Sequence, residues 1–423
     1  MELMTKHGYK QTELGLIPEE WEIEKFKDVT NAITCGVAAT PEYVSESLGM
    51  PFLSASHVQK GKVVPNKIKY ITKDLYRQIT KNNKPEKGDI LYTRVGAGIG
   101  EAGVIDFELD FAIYVSLTLI KPKRILNNYF LRSLLNSNYY KFLAKNGQFA
   151  GGGVQNLNVE VVREFPIPIP TLIEQKAIAT ALSDVDALIT SLEQSLTKKK
   201  AIKQGAMQAL LNGKIRLNGF GETKTMKESE FGLIPEDWDV KLLPEVFDYI
   251  HGKAHEQHID STGIFTVVNS KFISTEGKVT KYSKENFCSA RKGDILTVLS
   301  DLPNGKALAK TYYVNTDNKY AVNQRICIWR SKKDSPLFLS FIMNRHKYFM
   351  KFDDGVTQTH ILNHHIEKCP VLVPRDLNEQ TAIGQILSDM DTEITQLETK
   401  KEKYQAIKQG MMQELLTGKT RLI

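Results

Sequence analysis

The chain has 423 residues, 41% hydrophobic and 25% charged, with a formal net charge of +7, and is long enough for several domains that each bury a core. The basic excess is thin everywhere. Residues 1–170 hold 21 Lys+Arg against 18 Asp+Glu and residues 218–373 hold 21 against 19, which excludes the strong single-sign field of a non-specific nucleic-acid binder. Cys35, Cys288, Cys327 and Cys369 form no C-x-x-C pair, and the best apolar run, 111–120, is too short for a bilayer. A disulfide scaffold, a zinc ribbon and a membrane span are therefore excluded, and a reducing cytoplasm fits.

In chain order, the first signal is Gly15-Leu16-Ile17-Pro18-Glu19-Glu20-Trp21, followed by Lys87-Gly88-Asp89-Ile90. Strand-like runs at 88–95 and 112–120 and a helical patch at 128–143 make residues 1–170 a mixed α+β domain. The Pro-punctuated stretch Pro166-Ile167-Pro168-Ile169-Pro170 leads into Thr171-x-x-Glu174, a capping box that opens a long helix within 171–217. Gly213 supplies its left-handed stop. The helix carries Ile178, Leu182, Val185, Ile189 and Leu192 at 4-3-4-3 spacing, the a and d positions of a coiled coil.

The whole pattern then repeats. Gly232-Leu233-Ile234-Pro235-Glu236-Asp237-Trp238 and Lys292-Gly293-Asp294-Ile295 open a second α+β domain, 218–373, with strand-like residues 321–329 and a helical patch at 336–350. A second capping box, Asp376-x-x-Glu379, begins a second helix within 374–423, with its seam at Ile383, Leu387, Met390, Ile394 and Leu397 and its stop at Gly418. Residues 174–217 align without gaps on 379–422, with 26 of 44 positions identical. The domains have diverged and the helices have not. Each helix therefore expects its twin as partner, giving two globular domains separated by two long antiparallel coiled-coil helices with pseudo-two-fold symmetry.

Four features resemble the specificity subunit of type I restriction–modification enzymes. They are the Gly-Leu-Ile-Pro-Glu-x-Trp openings, the Lys-Gly-Asp-Ile strands, the proline-rich lead into each helix, and the Glu-Gln-x-Ala-Ile…Leu-Ser-Asp-x-Asp helices, in that order and duplicated. The resemblance implies that 1–170 and 218–373 are target-recognition domains, each reading half of a bipartite, asymmetric double-stranded DNA target. The helices would set the spacing and dock two adenine-methyltransferase modification subunits. Separate restriction and translocase subunits would complete the complex. S-adenosylmethionine, ATP and Mg are then expected on partners, with no cofactor or metal in this chain. A non-catalytic coiled-coil adaptor for protein partners is the alternative.

Catalytic motifs are missing. There is no G-x-x-x-x-G-K-[ST] loop and no adenine-methyltransferase Asn/Asp-Pro-Pro-aromatic motif. Val95-Gly96-Ala97-Gly98-Ile99-Gly100 lacks the G-x-G-x-x-G spacing and reads as a backbone turn, and His255-Glu256-Gln257-His258 is one residue short of H-E-x-x-H. Base contacts are expected from polar side chains on loops that follow strands: Arg94, Gln155, Asn156, Gln324, Arg325, Gln358 and His360. Amide and guanidinium groups fit adenine and guanine edges, although such loops are also ordinary solvated turns. The lysine clusters Lys198-Lys199-Lys200-Lys203 and Lys400-Lys401-Lys403-Lys408 read as solvated helix faces, or as contacts to DNA or an acidic partner. Trp21 and Trp238 are expected in the core.

Overall fold

The Lys-Gly-Asp-Ile repeat marks where the two globular parts coincide. The computed structural model describes residues 7–38, 41–151, 154–221, 225–302, 307–353 and 355–422, and in it each copy of the motif turns the chain into an inner strand of a sheet. Gly88 and Gly293 take left-handed backbone, with φ of 94° and 91°, which side-chain-bearing residues rarely adopt. The aspartates close the turns: Asp89 accepts from the Glu86 amide at 2.9 Å and Asp294 from the Arg291 amide at 2.7 Å. Each also pairs with a cation on the neighbouring strand, Asp89 with Lys121 at 2.7 Å and Asp294 with Arg330 at 2.8 Å.

The chain divides into two compact units, one formed by Met1–Glu193 with Thr399–Ile423 and the other by Gln194–Glu398. In unit 1 a six-stranded sheet contains Thr30–Cys35, Leu117–Pro122, Ile90–Thr93 and Ala102–Val104 in that order, and a four-stranded sheet holds Gly49–Leu53 beside Ala112–Ile113. Unit 2 has a four-stranded sheet ordered Phe247–His251, Ile326–Ser331, Ile295–Val298 and Thr311–Tyr313, and a three-stranded sheet that pairs Phe265–Val268 with Tyr320–Val322. The strands named here correspond in order, and the sheets of unit 1 carry additional strands at their edges. Both units are α+β, the class expected from the sequence.

The central helix, Leu172–Leu210, and the terminal helix, Leu377–Leu415, are each 39 residues long. Each unit contains the first half of one and the last half of the other, so the helices run antiparallel. Reciprocal ion pairs join them: Lys408 with Asp186 at 2.6 Å in unit 1 and Lys203 with Asp391 at 2.5 Å in unit 2. Lys199 and Lys200 likewise reach Glu393 and Glu398, both at 2.6 Å. Lys199, Lys200, Lys203 and Lys408 therefore each pair with an acidic group of the twin helix, Lys199 and Lys200 while remaining partly exposed to solvent.

Ile178, Leu182, Leu192, Ile383, Leu387 and Ile394 are buried, and Val185, Ile189, Met390 and Leu397 are half-buried. The seam does more than join two helices. In unit 1 Ile178 and Leu182 lie in one core with Trp21, Phe130 and Leu131, and with Met412 and Leu415 from the end of the terminal helix. In unit 2 Ile383 and Leu387 share a core with Trp238, Phe338 and Leu339, and with Leu210. The start of each helix is thus part of a globular core.

A polar clasp sits over each of these cores. The Trp21 indole donates to Glu174 at 3.1 Å and the Trp238 indole to Glu379 at 3.2 Å, so the glutamates expected to close the capping boxes are instead buried against the opening motifs. Arg421, beyond the terminal helix, donates to both oxygens of Glu174 (2.5 and 2.8 Å), and Arg216, beyond the central helix, does the same to Glu379 (2.5 and 2.8 Å). Gly213 and Gly418 are left-handed, as the sequence requires of a helix stop, and abut Pro235 and Pro18 respectively. Among the described residues no helix is long and apolar enough to cross a membrane.

Candidate nucleic-acid interface

At the end of the Lys-Gly-Asp-Ile strand both units build the same backbone frame. In unit 1 the Gly36 amide donates to Leu117 (3.1 Å), Val37 to Ile113 (3.3 Å), Arg94 to Ser116 (3.0 Å) and Leu157 to Arg94 (2.9 Å). In unit 2 Gly252 donates to Ile326 (2.9 Å), Lys253 to Val322 (3.0 Å), Leu299 to Arg325 (3.0 Å) and Ile361 to Leu299 (2.8 Å). Val95 bridges to Asn156 in one and Ser300 pairs with His360 in the other. Glycine is required where the chains cross. A Cβ on Gly36 would stand 2.2 Å from the Ile113 carbonyl oxygen, and one on Gly252 would stand 2.0 Å from that of Asn323.

The frame equates Cys35 with His251, Arg94 with Leu299, Val95 with Ser300, Val115 with Gln324, Ser116 with Arg325 and Asn156 with His360. Not one of these pairs is the same residue. The backbone is duplicated and its decoration is not.

In unit 2 the frame encloses a cleft of about 350 Å³ that brings together Gln324, Arg325, Gln358 and His360, with His251 and Ser300 beside them. Leu299, Ile361 and Leu362 form its apolar part. Gln358 donates to the Ser300 hydroxyl at 3.1 Å, and a His251 ring nitrogen lies 3.0 Å from the Asn363 side-chain oxygen. Four residues from two distant segments, 324–325 and 358–360, therefore meet on one surface.

Unit 1 differs, and one expectation is corrected. Arg94 is buried: its Nε donates to the Leu157 carbonyl at 2.9 Å and its Nη1 to the Val115 carbonyl at 3.2 Å. A guanidinium held by two internal carbonyls is a brace, not an exposed base contact. Asn156 is half-buried, and among the described residues its side-chain oxygen is enclosed without a hydrogen-bond donor. The side chain of Gln155 lies outside the described residues. Gly96 and Gly100 are left-handed and Ile99 donates back to Gly96 at 3.2 Å, so the glycine-rich loop is the backbone turn expected.

The histidine-rich segment folds back into unit 2. His255 is fully buried, with Nδ1 donating to the Lys253 carbonyl at 2.7 Å and Nε2 accepting from the Phe287 amide at 3.1 Å. Burial pushes its imidazole below the ordinary value, consistent with a neutral ring whose two nitrogens are both engaged. Sequence reasoning missed His251 and Ser300, because their place is fixed by strand pairing in the diverged part of the repeat. It also missed the arginine–glutamate clasps. Those could have been found, since Arg216 and Arg421 are among the positions kept identical after each helix.

The description "Type I restriction modification DNA specificity domain" matches residues 18–204 and again 235–409. The chain belongs to that family. The MjaVIII specificity subunit of Methanocaldococcus jannaschii is 26% identical over 445 residues, covering 100% of this chain and 98% of that protein. The EcoKI specificity subunit of Escherichia coli is 25% identical over 210 residues, covering 48% of this chain and 44% of that protein. The fold is similar to that of a specificity subunit from M. genitalium, with a TM-score of 0.61 at 16% identity over 94% of this chain and 96% of that one. As a type I specificity subunit the chain is a non-catalytic component, and the cofactor-using activities of these enzymes sit in partner subunits.

Proposed function

We propose that each unit reads one half of a bipartite, asymmetric double-stranded DNA target, with residues 1–170 and 218–373 as the readers and the helices of 171–217 and 374–423 as the spacer. The observation that carries this is the duplicated frame. Two frames of the same hydrogen-bond pattern bearing different side chains at six equivalent places suit two different short sequences, and a pair of long helices suits a spacer between them. A helix of 39 residues is about 58 Å long, and one turn of B-DNA is about 34 Å, so a gap between one and two turns is expected. Gln324, Arg325, Gln358 and His360 are the base contacts in unit 2. Asn156, with its unsatisfied oxygen, and Gln155 are their counterparts in unit 1. Phosphate contacts from lysines would add affinity without sequence information.

Two modification subunits dock on the helices in this reading, in a cytoplasmic complex completed by restriction and translocase subunits. Leu172 with Leu377, and Ile202 with Ile407, support it: both pairs are exposed yet remain apolar in both copies. Retention of an exposed apolar residue twice, at equivalent places, suits one partner type that binds twice. Lengthening both helices by whole turns and sequencing the methylated sites tests the spacer. The gap should widen while each half-sequence stays the same, and altered half-sequences would show that the helices take part in reading.

A further inference from the structure

We propose that the cleft of unit 2 reads a guanine through Arg325 and that Leu299 is the residue that keeps the cleft open for it. This rests on the reading of the units as DNA readers. Arg325 is exposed at the rim of the cleft, and among the described residues its guanidinium has neither a hydrogen bond nor an ion pair. In the same unit Arg216, Arg330 and Arg375 are held by carboxylates, whereas Arg291 and Arg345 share with Arg325 the lack of such a pair among the described residues, so the place of Arg325 at the cleft is what sets it apart. Among the described residues no carboxylate lines the cleft. A planar fork of N–H donors without an internal acceptor complements the O6 and N7 acceptors of guanine. The neighbours of Arg325 argue for a base edge over a phosphate. Gln324 and Gln358 both donate and accept, as a base edge does, whereas a phosphate only accepts.

Unit 1 shows what a closed version looks like. Its Arg94 occupies the place of Leu299, and the carbonyls that hold it, those of Leu157 and Val115, correspond to those of Ile361 and Gln324. Both of these line the cleft in unit 2. The substitution Leu299→Arg therefore supplies a guanidinium with two ready acceptors and fills the space from within.

The test is selection of random duplexes by the full chain assembled with its modification subunits, followed by sequencing. Wild type should yield two sequence blocks. A selected pool without two blocks would overturn the DNA reading of the units and this inference with it. Arg325→Gln should relax one G·C position in one block, with discrimination there falling roughly 10- to 100-fold, and should leave the other block intact. If it instead weakens binding to all duplexes alike, Arg325 holds a phosphate and the guanine assignment falls while the two-block reading stands. Leu299→Arg should erase selection in the same block as Arg325→Gln. Unchanged selection by a folded Leu299→Arg chain would show that the cleft receives no base. If that variant fails to fold, Arg325→Gln decides alone, since its site is exposed.

Discussion

Removing the arginine of one clasp should destabilise unit 1 far more than a surface ion pair would. Arg421 holds both oxygens of Glu174, pairs with Glu20 at 2.5 Å and lies 5.7 Å from the Trp21 ring centre. Glu174 is completely buried. After Arg421→Ala its carboxylate keeps only the Trp21 indole among the described side-chain donors, so the cost is that of a stranded buried charge, about 3–5 kcal/mol. The lost cation–π contact adds about 0.5–1 kcal/mol. An exposed pair such as Arg77–Asp74 would by contrast contribute under about 1 kcal/mol. Urea unfolding followed by hydrogen exchange locates the loss: amides of unit 1 should lose protection, while the clasp of unit 2, Arg216 with Glu379, is untouched. The double variant Arg421→Met, Glu174→Gln should recover most of the stability, because it removes the buried charge together with its partner. A loss below about 1 kcal/mol for Arg421→Ala, or a double variant no better than the single, would refute a clasp built on burial of Glu174.

Two further outcomes follow from geometry and titration. Gly252→Ala places a Cβ against a backbone oxygen that cannot yield; it should cost about 1–3 kcal/mol and impair the half-site read by unit 2, measurable by urea midpoint and by selected sequence. His346, in unit 2, has its imidazole pushed from the ordinary 6.5 down to about 4 by burial. The unfolded chain therefore takes up the proton first as pH falls, and stability is lost between pH 6.5 and about 4, approaching about 3 kcal/mol. His346→Asn lacks that titration, so the wild-type advantage in melting temperature should shrink across this window; a constant difference from pH 7 to 4.5 would contradict it.

The helices were legible because their signals are local. Heptad spacing, N-cap residues and left-handed glycines all act within a few residues, and the duplication exposed them twice, whereas Glu174 and Glu379, expected to close capping boxes, are instead taken by Trp21 with Arg421 and by Trp238 with Arg216. The Lys-Gly-Asp-Ile turns were legible for the same reason. Side-chain direction in the readers was not. Arg94 and Arg325 look alike as polar residues at strand ends, yet Arg94 faces carbonyls 21 and 63 residues away and Arg325 faces a cleft. Only strand pairing across the diverged domain decides between them, and no spacing in the sequence encodes it. The loops at 324–325 and 358–360 were each visible, but their meeting was not, since more than 30 residues of strand, helix and turn separate them.

The division of the chain also orders its folding during synthesis. Unit 2 is continuous, Gln194–Glu398, whereas unit 1 needs Thr399–Ile423 to supply Met412, Leu415 and Arg421 to its core and clasp. Domains fold as they emerge, the earlier-made ones ordinarily first. Here the first strands leave the ribosome long before the residues that cover their core. The nascent amino-terminal half must wait, with Trp21 and Glu174 uncovered, until residues 399–423 have been made, and unit 2 is the first able to close.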